Sequence, residues 1–168
     1  MVNWVFFPRS AAPPPVAHKL LEAFKECLPS FASDKHSLES NAVLACMAPS
    51  LAAIGFQVEA GKKKAGKVSV PVLFGRNGKI EKAFEADAYH RDAQFVLEVE
   101  AGRGVVNNQF LKDLFQACMM QGVDYLGIAV RNSYRGGDDF DKVYRFFDTL
   151  YTSDRLRLPL KGLLLIGY

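Results

Sequence analysis

A chain of 168 residues, 49% of them hydrophobic, has the length of one domain (1–168) and enough apolar material for a core, which excludes a disordered chain. A net charge of +3 excludes a polycation, and the longest apolar run, Leu163–Ile166, is far too short to span a bilayer. The opening MVNWVFFPRSAAPPP has no basic region ahead of its apolar stretch and makes a poor secretory signal. Cys27, Cys46 and Cys118 fall in helical-looking apolar segments at no metal-like spacing, which reads as buried free thiols in a cytoplasmic protein.

After Pro13–Pro15, a helix is predicted over 16–28, with Val16, Leu20, Leu21, Phe24, Cys27 and Leu28 at helical spacing and Pro29 just beyond. A second helix is expected from Ser37 to about Ile54, kinked or divided by Pro49. Gly55 stops it before a short strand, Phe56-Gln57-Val58. Segments 67–74 and 79–89 flank Gly75-Arg76-Asn77-Gly78, a hairpin signal, and Pro71 suits an edge strand or a bulge. A third strand is predicted over 94–100, followed by the turn Ala101–Gly104 and an amphipathic helix over 104–121. Residues 125–130 (YLGIAV) look like a buried strand, Phe140, Val143, Phe146, Phe147 and Leu150 mark a further helix, and Leu163–Ile166 a last strand. This order predicts an α/β domain with a mixed sheet.

Several common sites are missing from the sequence: there is no GxSxG elbow, GxxxxGK[ST] loop, HExxH or paired CxxC. Gly102-Arg103-Gly104 sits between strand and helix like a phosphate cradle but lacks the third glycine of GxGxxG. His18, His36 and His90 are scattered, and His90 reads as an exposed turn residue. The carboxylates carry more information. Alternation places Glu85, Asp87 and Tyr89 on one strand face, opposite Phe84, Ala86 and Ala88. It also sends Glu98 and Glu100 to one side of the next strand, roughly 6.5–7 Å apart. On a dry face such acids are costly, and either a divalent cation or the nearby Arg91 and Arg103 would relieve them. Lys62, Lys63, Lys64 and Lys67 crowd a Gly-flanked loop, which is a solvated surface or a contact for a polyanion.

Hairpin strand with Asp87, next strand with Glu98-Val99-Glu100, then helix and buried strand: this succession resembles the PD-(D/E)xK nuclease superfamily, the fold of many restriction endonucleases and Holliday-junction resolvases. The resemblance covers roughly residues 35–131 and implies a three-layer αβα sandwich around a mixed sheet, with helix 16–28 and the C-terminal helix and strand as additions. Asp87 takes the place of the motif aspartate, although no proline precedes it, and Glu98-Val99-Glu100 that of (D/E)xK. Glu100 stands where lysine is commoner; a glutamate there is similar to the restriction-enzyme branch of BamHI, whose relative BglII carries glutamine. Glu39 matches the acid often found on the opening helix.

The resemblance implies a metal-dependent endonuclease acting on DNA. Asp87, Glu98 and the backbone carbonyl of Val99 would hold Mg²⁺ (or Mn²⁺), Glu100 would serve as general base or ligand to a second cation, and Glu39 would complete the catalytic set. Lys62, Lys63, Lys64, Arg103, Lys112 and Arg131 would contact the backbone of duplex DNA, and a homodimer would present two sites to two strands. The superfamily also has members that keep the fold without catalysis, so the alternative is an inactive module that binds nucleic acid or a protein partner. A small-molecule enzyme built on the Gly102–Gly104 turn would instead need an enclosed apolar pocket.

Overall fold

The computed structural model of the chain describes residues 1–61, 66–102 and 105–168. Strand β1 (Asn3–Phe7) is followed by α1 (Pro15–Cys27), α2 (Ser40–Ala53) and β2 (Gln57–Val58). Next come β3 (Val68–Phe74), β4 (Ile80–Ala86), β5 (Ala88–His90), β6 (Phe95–Val99) and α3 (Gln109–Met119). The chain then forms β7 (Tyr125–Val130), β8 (Ser133–Tyr134), β9 (Gly137–Asp138), α4 (Asp139–Ser153) and β10 (Gly162–Gly167).

Six strands make one mixed sheet in the order β1-β10-β7-β6-β5-β2. β6, β7 and β10 run parallel; β1 pairs antiparallel with β10 on one side, and on the other β5 pairs antiparallel with β6 and β2 antiparallel with β5. Parallel neighbours require crossovers. Here α3 joins β6 to β7 and α4 joins β7 to β10, and both lie on the same face: Phe110, Leu114, Val143 and Phe147 pack with Val96, Leu126, Ile128 and Leu165. The opposite face is covered by α1 and α2, through Leu20, Phe24, Val43, Met47 and Leu51 against Phe95, Leu97, Leu164 and Ile166. Helices on both faces explain why β6 and β10 are buried at every position. The predicted three-layer αβα sandwich with a mixed central sheet is the architecture found.

Local chemistry sets the helix starts. Pro15 opens α1, where a missing N–H costs nothing, and Asp138 caps α4 by accepting from the Asp141 N–H at 3.2 Å. α2 begins at Ser40 and runs without a break through Pro49, held by Val43, Met47 and Leu51 on its buried side. The helix predicted over 104–121 is shorter, because Val105–Asn108 forms a turn and Asn108 takes a left-handed φ of 55°. The β3–β4 hairpin forms as predicted, with register irregularities around Pro71 and Leu73.

Three further expectations change. Residues 3–7 were read only for their lack of a signal sequence, yet they form the edge strand β1, paired along its length with β10. The strand expected over 79–89 is interrupted at Asp87. Ala86 joins the core on the α3/α4 side and Ala88 the core on the α1/α2 side, so alternation does not run through. The thiols are free, but Cys46 is exposed and Cys27 and Cys118 are half-buried. No helix among the described residues is long and apolar enough to cross a membrane.

The N-terminal strand is integral to the second core. Phe7 is fully buried, stacked on Tyr151 at 5.3 Å between ring centroids and 6.1 Å from Phe147. Phe7→Ala should lower unfolding free energy by about 3–5 kcal/mol in urea denaturation. A loss under about 1 kcal/mol would show that β1 is a peripheral addition.

Candidate active site

β6 is apolar through Phe95, Val96 and Leu97 and becomes acidic only at its carboxyl end. Val99 belongs to the α1/α2-side core. Period-2 geometry therefore turns Glu98 and Glu100 toward the α3 side. One step beyond the last β5–β6 pair, Ala88↔Leu97, the register sets Asp87 opposite Glu98. At that step the ladder gives way to side-chain bonding. The Asp87 Oδ2 accepts the Val99 N–H at 2.8 Å, and the Asp87 carbonyl accepts the Glu59 N–H at 2.8 Å. Because a strand residue shows its N–H and C=O on one edge, the Val99 carbonyl faces the same side.

A fourth acid comes from α3. Asp113 lies on the helix's buried stripe with Phe110, Leu114 and Ala117 and is 6% exposed. Asp87, Glu98, Glu100 and Asp113 thus line one cleft of about 360 Å³, whose walls also include Ser40, Glu59, Lys67 and Lys112. None of these four acids forms a salt bridge among the described residues, and Arg91 pairs with none of them. Lys67 is held by Glu59 at 2.7 Å and Glu85 at 3.5 Å.

Crowded and buried, the acids resist ionisation. Burial pushes Asp87 up to about 6, opposed by the Val99 N–H and reinforced by the charges of Glu59 and Asp113. Glu98 is driven well above its ordinary value by burial and then by Asp87 and Asp113. Glu100 rises to about 8 through burial and through hydrogen bonding to Asp113. Asp113 is itself raised by burial, with Glu100 and Lys112 favouring its ionised form. At neutral pH Glu100 therefore carries a proton.

The structure brings Asp87, Glu98, Val99, Glu100 and Lys112 together. It does not bring Glu39 to them: Glu39 precedes α2, makes no capping bond and opens onto a neighbouring groove that Arg131 also lines. Lys62, Lys63, Lys64 and Arg103 lie outside the described residues. His90 is a packing residue, its ring 5.2 Å from Phe56 and its Nδ1 accepting the Ala93 N–H at 3.2 Å. Sequence reading missed Asp113, although its signal was present as an acid on the apolar stripe of a helix, three residues after Phe110. It also left Lys67 in the lysine loop, whereas Lys67 folds back onto Glu59 beside the acids.

No group of three or more His, Cys, Asp or Glu side chains among the described residues is spaced to enclose a metal ion. The donor chemistry does suit Mg²⁺, which takes one or two carboxylates and keeps several waters. Asp113 Oδ2 is buried without a hydrogen-bond partner, beside carboxyl groups whose mutual repulsion a divalent charge would relieve.

No protein-family model matches the chain, and no curated protein matches its sequence. Among solved structures it is similar to the crystal structure of free BglII, a restriction endonuclease, with a TM-score of 0.50 at 10% identity, over 99% of this chain and 78% of that one. At that identity the likeness is one of fold, and the fold is restriction-endonuclease-like.

The raised values fix a pH dependence. Between about 4.5 and 8 the folded chain keeps a proton at Glu100 that the unfolded chain releases, so stability present at low pH is lost as pH rises through that window. Asp87 adds the same trend up to about 6. In EDTA, the melting temperature of the wild type should fall more steeply from about pH 5 to pH 8 than that of Glu100→Gln. Parallel curves would mean that Glu100 titrates as in an unfolded chain.

Proposed function

We propose that the protein is a metal-dependent nuclease that hydrolyses phosphodiester bonds in DNA. The observation that carries this reading is the meeting of Asp87, Glu98, Glu100 and Asp113 in one open cleft at the carboxyl end of β6, with no salt bridge to neutralise them among the described residues. Ligands in open α/β sheets bind outside the carboxyl ends of parallel strands, which is where this cleft lies.

Asp87, Glu98 and the Val99 carbonyl would hold Mg²⁺ or Mn²⁺. When bound, the cation supplies Lewis-acid polarisation of a phosphate oxygen and lowers the pKa of water. Glu100, whose raised pKa makes its ionised form a stronger base than an ordinary carboxylate, would take the proton of an attacking water as pH rises toward about 8, with Asp113 positioning it. Glu39 is given no part in the chemistry, because it faces the neighbouring groove. Lys112 and Lys67 temper the negative charge that a polyanion meets on entering the cleft. Lys62, Lys63, Lys64, Arg103 and Arg131 are assigned to the backbone of duplex DNA, and a homodimer to cutting both strands. Three free cysteines suit a reducing cytoplasm.

One observation favours a second reading. With no ready-made cage for an ion among the described residues, and Glu100 where lysine is commoner, the chain also fits a nuclease-like module that binds nucleic acid or protein without cutting.

Plasmid nicking with Mg²⁺ or Mn²⁺, against EDTA, separates the two. The nuclease should nick, Glu98→Gln should abolish nicking while keeping DNA affinity within about threefold, and Glu100→Gln should slow it about 10²–10⁴-fold as expected of a lost general base. Glu100→Lys is the sharper probe: it should impair an active enzyme, whereas a gain of cleavage in an inactive wild type would establish the non-catalytic module.

A further inference from the structure

Beside the carboxylate cleft, and sharing Ser40 and Asn41 with it as walls, lies a larger polar groove of about 870 Å³. Its floor is formed where the chain leaves β7. Arg131 follows that strand directly and is 6% exposed, donating to the Leu38 carbonyl and toward the Tyr168 hydroxyl. No carboxylate among the described residues lies within salt-bridge distance of it. Asp139 feels its charge but pairs with Lys142 at 3.6 Å. A guanidinium has five donors, and burying it without an anion is costly.

Next along the chain, Tyr134 gathers a second cation. The guanidinium carbons of Arg131 and Arg135 lie 5.0 and 5.2 Å from the centre of its ring. Arg135 is exposed and held at a φ of 49°, at the tip of the β8–β9 hairpin. Among the described residues, Glu39 is the one carboxylate lining the groove, against these two arginines. The site therefore offers two guanidiniums, steered by one aromatic ring, to an anion approaching along polar walls.

We propose that this groove carries the phosphate backbone of the substrate strand beyond the scissile phosphate, with Arg131 and Arg135 as its phosphate contacts and Tyr134 as the residue that positions both. The identity of the ligand as nucleic acid rests on the nuclease reading above. The path rests on the geometry: a strand whose scissile phosphate lies at Asp87 and Glu98 passes over Ser40 and Asn41 into the groove, where bidentate arginines suit phosphate. The contacts read backbone and not base, so they give affinity without sequence preference.

Fluorescence anisotropy with a short labelled DNA duplex, and with its single strand, at several salt concentrations in EDTA tests the proposal without any cleavage. Arg135→Glu, a change at an exposed position, should weaken binding of at least one form about tenfold and lower the salt slope by about one to two phosphate contacts. Tyr134→Leu should weaken it about threefold by releasing both guanidiniums. Lys19→Glu, the same charge change on α1, should leave the slope within about half a contact of wild type. The proposal is overturned if Arg135→Glu binds like wild type, if Lys19→Glu weakens binding equally, or if the wild type binds neither form. A wild type that binds through the groove yet nicks nothing with Mg²⁺ or Mn²⁺ would end the nuclease reading and leave the groove standing. One that nicks, with an unaffected Arg135→Glu, would do the reverse.

Discussion

The hydrogen bond from the Val99 N–H to the Asp87 carboxylate is the point at which a sheet becomes a site. Up to Ala88↔Leu97, β5 and β6 pair as ordinary antiparallel strands. One step further, a side chain takes the place of the ladder, and the chain turns so that Ala86 and Ala88 fall into cores on opposite sides of the sheet. That bend directs the β3–β4 hairpin away from the sheet, sets Glu59 and Lys67 beside Asp87, and leaves the carboxyl end of β6 open.

Such an arrangement is unfavourable by itself, and the surrounding fold sustains it. Glu98 lies on a strand that is buried at every position, and Asp113 occupies a place on α3 that a hydrophobic residue would fill more stably. Both cores flank this region: Phe95 and Leu97 lock β6 against α1 and α2, and Phe110 and Leu114 lock α3 against the opposite face. Functional sites commonly hold groups that destabilise the chain containing them, since perturbed carboxylates are useful in acid–base and metal chemistry. A cluster of four acids whose pKa values all rise, one of them with an unsatisfied buried oxygen, has that character.

Much of this was legible from residue order. The continuous apolar runs of β7 and β10, the spacing of α1 and α4 and the Gly75–Gly78 turn are local signals, and each produced an element near its predicted place. Glu98 and Glu100 were readable because acids on an apolar strand violate the pattern around them. What failed was non-local. β1 has only five residues, and nothing in NWVFF says that it will pair with a strand about 160 residues later. The break at Asp87 depends on a bond to Val99 on another strand, so alternation within 84–89 could not reveal it. Glu39 lies beside Ser40, whose Oγ accepts the Ala101 N–H at 3.0 Å, yet it faces the neighbouring groove.

The central claim is that the acids around Asp87 and Glu98 are mutually repelling groups which a divalent cation satisfies. Thermal unfolding of the apo protein and of an Asp87→Asn, Glu98→Gln double variant, each titrated with Mn²⁺ into the millimolar range, tests it directly. A ligand that binds only the folded state raises its stability by about 2.7 kcal/mol at a hundredfold excess over Kd. The wild type should gain melting temperature as Mn²⁺ is added, whereas the double variant should begin more stable and then not respond. A wild type indifferent to Mn²⁺, or a double variant that responds as strongly, would contradict the account.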